Sequence, residues 1–332
     1  MRVTYRELFE TLSRVLLKIG FQEQRAMLCA RLFAETTRDG VYSHGLNRFP
    51  RFLRMVRNGS IDIHAEPELI AAYGSLERWD GLRGAGNLNA YKSMERAISL
   101  ATTNGMGCVA LSDTNHWMRG GSYGWQAAEA GMIGICWTNT LPNLPPWGAS
   151  RARLGNNPLV IAVPRASGHV VLDMAISQFS FGALESYRER GEQLPVEGGF
   201  DSEGNLTRDP AEIEKSGRVL PIGYWKGSGL SLVLDMIAAL LSGGLATHQI
   251  APDPERETQI SQVFIAINLP ALDQDGYAEH LADQIIESLQ TPPTNGGHIR
   301  YPGEKTLQTR KENMEKGIPV EEAVWDEVRS LL

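Results

Sequence analysis

The sequence predicts an α/β fold in which helices at both ends of the chain flank a set of strands. In the first sixty residues, and again near the C-terminus, apolar residues recur at the spacing of amphipathic helices. Between these segments, short apolar runs are separated by turns that contain glycine and proline, a pattern typical of strands. The chain has 332 residues, of which 42% are hydrophobic, so it can bury a large core and form two or three domains.

Composition restricts the classes of function. The net charge of −7 and the pI of about 5.6 argue against general affinity for nucleic acid or acidic membranes. Cys29, Cys108 and Cys136 are far apart and form no CxxC pair, which indicates reduced core residues of a cytoplasmic protein. We find no signal-peptide pattern and no apolar run of the ~18 residues that a membrane span needs. HExxH, GxSxG and metal-spaced clusters are also absent from the sequence, so neither a metal site nor acyl transfer is supported.

Helical spacing predicts a small helical unit at the N-terminus. Thr4 and Glu7 have the spacing of a capping box and open a first helix. A second helix is expected over residues 23–38. A third apolar stripe runs over residues 46–56, and Pro50 either kinks this helix or marks its first turn.

The middle of the chain alternates strands and helices. Apolar runs bounded by turn residues predict strands at 69–73, 76–80, 106–113, 133–138, 159–163, 170–174 and 263–268. Helical spacing predicts helices at 89–103, 123–130, 183–190, 230–241 and 281–289, followed by two more that Gly317 separates. The runs at 159–163 and 170–174 should form a hairpin.

Two segments carry further expectations. Residues 181–220 are polar and are expected to form a long surface excursion with one helix. The helix at 230–241 is apolar nearly all round, which predicts that it is buried. The glycine-flanked loop before it places Lys226 at a helix N-terminus, where free N–H groups and the helix dipole favour an anion such as phosphate.

A Rossmann dinucleotide-binding unit is a minor alternative for one segment. A strand, the sequence Gly84-Ala85-Gly86, a helix and a strand ending in Asp113 follow one another. The fingerprint requires a third glycine three residues after the second, and Asn89 occupies that position. The pattern therefore argues against this unit.

Residues 41–51 contain the first candidate site, because Ser43, His44 and Arg48 lie within six residues. If a helix begins near Ser43, His44 and Arg48 share one face of it. The imidazole can protonate a developing alkoxide, and the guanidinium can hold a carboxylate at two points. The alternative is a helix N-cap, a hydrogen-bonded histidine and a solvated arginine. Arg51, Arg54 and Arg57 follow at intervals of three and spread around the helix, so they cannot all face one pocket.

Two other polar residues stand at ends of predicted strands. His116 lies in a glycine-rich loop after a strand, and loops at strand ends often carry function. The alternative is a histidine that only hydrogen-bonds to nearby backbone. Asp173 ends an apolar run and can either cap the following turn or reach a ribose hydroxyl.

Several short motifs occur in the order of one known family. They are Ser43-His44-Gly45, Asn115-His116, Asp173-Met174-Ala175, Trp225-Lys226-Gly227 and Pro302-Gly303-Glu304. Through these motifs the chain resembles, essentially end to end, the malate/L-lactate dehydrogenase family that does not use the Rossmann fold. The longer stretches at 41–45, 116–126 and 223–229 resemble members that reduce a 2-oxo sugar acid.

The resemblance implies a fold and an assembly. It implies a non-Rossmann α/β (α+β) fold with a mixed, largely antiparallel sheet and helical terminal segments, in a homodimer. On this basis we expect an N-terminal helical segment at 1–75, a nicotinamide-binding sheet domain at 76–225, and a C-terminal segment at 226–332 that packs with the N-terminal one.

The resemblance also implies a reaction and the residues for it. NADH, with NADPH as an alternative, would reduce C2 of a small-molecule 2-oxo acid. His44 matches the proton donor, His116 matches a histidine that some members use instead, Ser43 can relay the proton, and Arg48 matches a position that binds the substrate carboxylate. The matched cofactor positions are His169, Val170, Val171, Leu172, Asp173, Met174, Ala175, Trp225, Lys226, Gly303, Glu304 and Lys305. Dehydrogenation of another 2-hydroxy acid, a cofactor-independent sugar-acid isomerase or lyase, and a silent binding protein stay open as alternatives.

Overall fold

The computed structural model describes residues 1–273, 275–290 and 297–332. Its helices are α1 (Tyr5–Lys18), α2 (Glu23–Arg38), α3 (Phe49–Arg57), α4 (Gly86–Asn104), α5 (Gly121–Glu129), α6 (Phe181–Glu189), α7 (Pro210–Ser216), α8 (Trp225–Ser242), α9 (Tyr277–Leu289), α10 (Glu304–Lys316) and α11 (Glu322–Arg329). Its strands are β1 (Arg2–Val3), β2 (Glu68–Tyr73), β3 (Leu76–Asp80), β4 (Met106–Asn115), β5 (Met132–Thr138), β6 (Leu159–Val163), β7 (Val170–Met174), β8 (Gly199–Phe200), β9 (Leu206–Thr207), β10 (Thr258–Asn268) and β11 (Ile318–Pro319).

The central sheet has the strand order β2-β3-β4-β10-β5-β6-β7. Neighbouring strands run antiparallel except β3 and β4, which are parallel. The predicted hairpin is present, with Ile161 of β6 opposite Leu172 of β7. This order confirms the expected mixed, largely antiparallel sheet, and it excludes a Rossmann unit, which needs a parallel sheet.

Separate apolar cores lie on the helical side and on the two faces of the sheet. The helical core combines N-terminal residues such as Leu8 and Phe33 with Trp325 of α11. Helices α4 and α5 cover one sheet face through residues that include Met94. Helix α8 covers the other face through Leu234. Residues from both ends of the chain therefore share a core, while the boundaries at 75 and 225 stay a prediction.

Local expectations at the N-terminus agree closely with the structure. Helix α2 has the predicted bounds, and Thr4 Oγ1 accepts a hydrogen bond from Glu7 N at 3.1 Å, one half of the predicted capping box.

Strand β10 begins five residues earlier than predicted, because its first half contains several polar residues and register shifts against β4. The three cysteines are free and buried.

Two expectations about burial were wrong. Residues 181–220 contain a second helix, α7, and bury Leu184, Leu194 and Ile213 against the sheet, so this segment is not a surface excursion. Helix α8 is not buried all round, because only one side of it packs on the sheet. Its other side exposes apolar residues such as Met236 and Leu240, which is 70% exposed.

Helix α8 also bears on the expected absence of a membrane span. With 18 residues and a mean hydropathy of 1.2, it is long and apolar enough to cross a membrane, as core helices of soluble proteins can also be. Its buried Asp235 accepts hydrogen bonds from Asn139 Nδ2 and Thr247 N, each at 2.9 Å. The expectation that no apolar segment reaches the required length was therefore wrong for this helix.

Candidate active site

The loop that carries Ser43 and His44 is held by the C-terminal end of α2. Val41 N donates to Thr36 O, and Leu46 N donates to Thr37 Oγ1 at 2.9 Å. A Cβ atom on Gly45 would overlap Thr37, so only glycine permits this close approach. The backbone on both sides of His44 is therefore fixed against α2.

No α-helix begins at Ser43, so the condition under which His44 and Arg48 would share a helix face is not met. The chain instead makes two 3-10 turns, Tyr42–His44 and Leu46–Arg48, and α3 begins only at Phe49 with Pro50 in its first turn. Proline favours this position because its missing N–H is not needed there. His44 and Arg48 thus lie in separate turns and not on one helix face, although the charge of Arg48 still acts on His44.

His44 is half-buried, and its Nδ1 lies 2.9 Å from Ser43 Oγ. Burial, together with the positive charges of Arg48 and Arg119, lowers the pKa of His44 to about 4. The imidazole is therefore neutral at neutral pH in the free protein, and it has a hydroxyl that can donate to or accept from its Nδ1.

His116 follows β4, and its ring centre lies 5.8 Å from that of His44. Its Nδ1 accepts a hydrogen bond from Met118 N at 3.0 Å. The neutral ring therefore carries its proton on Nε2. Burial, and then the charges of Arg48 and His44, hold the pKa of His116 well below its usual value.

Arg48 is half-buried, and its guanidinium makes no hydrogen bond or ion pair with any described residue. Burial and the charge of Arg51 lower its pKa to about 10, so it stays positive at neutral pH. The negative charge of buried Glu257 has the opposite effect and raises the pKa of Arg48. A half-buried guanidinium without a partner suits a carboxylate ligand.

The matched cofactor positions of β7 begin beside the N-terminus of α10. Val171 N donates to Pro302 O at 2.9 Å. Gly303 adopts φ +95°, and a Cβ there would lie 3.1 Å from Val171 N and 3.2 Å from His169 O. The His169 ring packs 5.8 Å from Trp125, and its Nδ1 accepts from Arg165 N. His169, Val170 and Val171 are thus adjacent to Gly303, and Lys305 is exposed nearby.

Two acidic residues in this region already have protein partners. Asp173 Oδ2 accepts from Gly121 N at 2.8 Å, so Asp173 caps α5, not the turn that follows it. Glu304 Oε1 accepts from His298 Nε2 at 2.9 Å, while its other oxygen is buried without a hydrogen bond in the described part of the chain.

The far end of β7 approaches the loop that leads into α8. Ile222 N donates to Ile176 O at 2.9 Å, just beyond Leu172, Met174 and Ala175. Trp225 is 67% exposed at the start of α8, and Lys226 beside it is exposed as well. The predicted cofactor residues therefore lie on β7 and directly after it, at the start of α10 beside one end of β7, and at the start of α8, whose preceding loop contacts the chain just beyond the other end.

Sequence reasoning missed Asp39, Arg119 and Glu257. The charge of Arg119 acts on His44, and the charge of Glu257 acts on Arg48. Arg119 and Asp39 are buried and form an ion pair of 2.7 Å. Asp39 directly follows α2, and Arg119 lies three residues after His116, but nothing in either local pattern links them. No group of three or more His, Cys, Asp or Glu in the described ranges could hold a metal ion.

Comparison with known proteins gives consistent matches over the whole chain. A family model described as malate/L-lactate dehydrogenase matches residues 3–329. The 2,3-diketo-L-gulonate reductase of Citrobacter koseri is 49% identical over 333 residues, with 100% of both chains covered. The reductase of the same name from Escherichia coli strain K12 is 48% identical over 335 residues, also with 100% of both chains covered.

Solved structures agree with this match. A sulfolactate dehydrogenase from Methanocaldococcus jannaschii aligns with a TM-score of 0.92 at 28% identity, covering 100% of this chain and 96% of that one. A malate dehydrogenase from Pyrococcus horikoshii aligns with a TM-score of 0.89 at 30% identity, covering 100% and 94%.

Proposed function

The chain belongs to the malate/L-lactate dehydrogenase family, and we propose that it reduces the C2 carbonyl of 2,3-diketo-L-gulonate to give 3-dehydro-L-gulonate, with NADH as reductant. The full-length identity of 48–49% to relatives named 2,3-diketo-L-gulonate reductase carries this substrate assignment. The proximity of two neutral histidines and an unpartnered guanidinium supports a 2-oxo acid as substrate, because these groups can hold its carboxylate and protonate its carbonyl oxygen.

Arg48 binds and orients the substrate in this proposal. The 2-oxo acid carries a carboxylate next to the reacting carbonyl, and the guanidinium can hold that carboxylate with two parallel hydrogen bonds. The positive charges of Arg48, Arg51 and Arg119 also attract an anionic substrate.

The two histidines take different roles because their Nδ1 atoms have different partners. His44 can gain a proton while Ser43 Oγ turns from donor to acceptor, so His44 protonates the C2 oxygen. His116 would have to break its bond from Met118 N to become protonated at Nδ1, so it stays neutral and donates a hydrogen bond from Nε2. A substrate carboxylate on Arg48 adds negative charge near His44 and raises its pKa, which favours the proton that His44 must give.

The residues along β7 fit a nicotinamide dinucleotide. β7 is the edge strand of the sheet, α10 begins at a glycine without space for a side chain, and its first N–H groups suit a phosphate. Exposed Trp225 offers a flat ring, and Lys226 and Lys305 offer charge. When bound, the reduced nicotinamide supplies the hydride for C2. The choice of NADH over NADPH rests on the resemblance.

We propose that the protein is a homodimer. The support is the exposed apolar side of α8, where Leu232, Val233, Met236 and Leu240 recur at helical spacing.

The direct test is NADH oxidation with a panel of 2-oxo acids that includes 2,3-diketo-L-gulonate, pyruvate and oxaloacetate. Turnover with diketogulonate alone supports the proposal. Turnover with another acid keeps the chemistry and changes the substrate. If folded protein oxidises neither NADH nor NADPH with any of them, the proposal is wrong, and the isomerase and binding-protein alternatives return.

A further inference from the structure

His44 and His116 are carried by different parts of the fold. His44 belongs to a loop that packs in the helical core through Leu46, whereas His116 follows β4 of the sheet. Trp117 packs in the core of the sheet, and the next residue, Met118, packs in the helical core. The segment after His116 therefore crosses the junction between the two cores, and the alignment of the histidines depends on how that junction is held.

A buried ion pair lies across this junction. Arg119 Nη1 donates to Asp39 Oδ2 at 2.7 Å, and the two side chains are 5% and 1% exposed. Asp39 lies five residues before His44, and Arg119 lies three residues after His116. The pair thus joins the two short segments that carry the histidines.

Asp39 is fixed by further arginines. Its carboxylate accepts two hydrogen bonds from Arg310 and one from Arg38, each at 2.8 Å. Burial opposes its charge, but the bonds from Arg310 and the charge of Arg119 outweigh burial and hold the pKa of Asp39 at about 2. The anchor for Arg119 is therefore charged and immobile at neutral pH.

The backbone between His116 and Arg119 is strained. Met118 adopts φ +63°, a left-handed conformation that is unfavourable for a residue with a side chain. Such a conformation persists only when surrounding contacts impose it. The bond from Met118 N to His116 Nδ1 and the ion pair at Arg119 are the contacts on either side.

Arg119 also adjoins the candidate cofactor strand. Its Nε is buried and has no hydrogen bond with the described residues. A Cβ built on Gly121 would lie 3.3 Å from that Nε and 2.7 Å from Asp173 Oδ2, so the guanidinium and the carboxylate flank the same point. Arg119 therefore lies between Asp39, with which it is paired, and Asp173 of β7.

We propose that Asp39 and Arg119 are a positioning pair that sets the alignment of His44 with His116 and places a fixed positive charge beside His44. Only the kinetic consequences of this inference rest on the proposed function. Neither residue contacts the substrate in this proposal, because both act through the histidine loops.

The charged and titratable groups around His44 set its pKa, so they determine how the Asp39–Arg119 pair can change that pKa. Arg48 and His116 face it from the loops of the site, and Arg119 faces it from the junction. Removing the charge of Arg119 should raise the pKa of His44. Removing the charge of Asp39 alone leaves Arg119 in place without its anchor.

The kinetic test compares Asp39→Asn, Arg119→Lys, Arg119→Gln and the double variant D39N/R119Q. The matched control is Glu77→Gln, which breaks another ion pair with a buried carboxylate, Glu77 with Arg96 at 2.6 Å. We expect D39N to lower kcat about 10-fold or more, since small misplacements of reacting groups are costly. R119K should lose less than R119Q, and the double variant should be no worse than R119Q.

The control separates positioning from stability. E77Q should lower Tm by a similar amount and keep kcat within about twofold. Equal kcat in D39N and wild type, or a double variant whose loss is the product of the two single losses, would overturn the proposal. The same holds if E77Q loses as much kcat as D39N.

A second readout needs no turnover. The pKa of His44, measured by NMR on protein with labelled histidine and assigned with H44Q, should rise in R119Q and stay near the wild-type value in R119K. An unchanged pKa in folded R119Q would contradict the charge effect. If wild type reduces no 2-oxo acid but these NMR shifts appear, the proposed function fails while the link between Arg119 and His44 stands.

Discussion

Nδ1 of His44 is hydrogen-bonded to the hydroxyl of Ser43, whereas Nδ1 of His116 accepts a hydrogen bond from the backbone N–H of Met118. The two ring centres are 5.8 Å apart. A hydroxyl can reverse its hydrogen bond, but an N–H can only donate. His44 can therefore change protonation state without losing a bond, and His116 cannot.

Substitution of the histidines should separate these roles. His44→Gln removes the general acid and should lower kcat about 10²- to 10⁴-fold. His116→Gln keeps a hydrogen-bond donor and should lower kcat only about 10-fold. Both variants should bind NADH as wild type does, measured by fluorescence titration, and exposed His248→Gln should match wild type throughout. A larger loss in H116Q than in H44Q would exchange the assignments.

Arg48 should act mainly on substrate affinity and orientation. Arg48→Gln removes charge-assisted hydrogen bonds and should lower kcat/KM for the 2-oxo acid about 10- to 150-fold. Arg48→Lys keeps the charge but not the two-point grip, so its loss should be intermediate. Arg57→Gln is the control, because Arg57 is an exposed arginine of α3. Steady-state kinetics in which R48Q behaves like R57Q would remove Arg48 from the site.

The pH dependence of reduction should differ between kcat/KM and kcat. In the free protein, burial, Arg48 and Arg119 hold the pKa of His44 at about 4, so the protonated form that reduction needs declines as pH rises above that value. Bound carboxylate raises this pKa, so kcat should stay level to a higher pH than kcat/KM does. Initial rates from about pH 4.5 to 8 would measure both profiles. Profiles that fall at the same pH would contradict this account.

Local sequence patterns sufficed for much of the fold. The bounds of α2 and the β6–β7 hairpin were predicted closely, since helical spacing and strand runs bounded by turns are local signals. The site residues Ser43, His44 and Arg48 also stood out because they are adjacent in sequence. The pairing of β4 with the polar first half of β10 was missed, because bulges and polar residues obscure its alternation.

Contacts between distant segments could not be predicted in this way. The 3-10 turns around His44 follow from the packing of Gly45 on Thr37, which no helical pattern records. Asp39 and Arg119 are far apart in the chain, and each looks like an ordinary charged residue until the fold buries both. The exposure of one side of α8 depends on the shape of the sheet beneath it, which composition does not contain.

The exposed side of α8 gives a test of the homodimer. Leu240→Arg places a charge on this surface and should shift the mass measured by light scattering from dimer to monomer, because an unpaired charge in an apolar interface is costly. Leu272→Arg is the control, since Leu272 is 77% exposed outside α8. A dimer that persists in L240R would place the interface elsewhere, and a monomeric wild type would contradict the homodimer itself.

Gly303 provides the sharpest test of the candidate cofactor positions on β7 and at the start of α10. Gly303→Ala puts a methyl group 3.1 Å from Val171 N in a backbone at φ +95°, so it should both destabilise the protein and displace β7 from the start of α10. Gly59→Ala is the matched control, because Gly59 has φ +77° and nothing within 4 Å of its Cβ position. Both variants carry the conformational cost of about 1 kcal/mol, and only G303A adds the close contact. We therefore expect fluorescence titration to show weaker NADH binding in G303A and unchanged binding in G59A, whereas equal affinity in both folded variants would exclude Gly303 from the cofactor site.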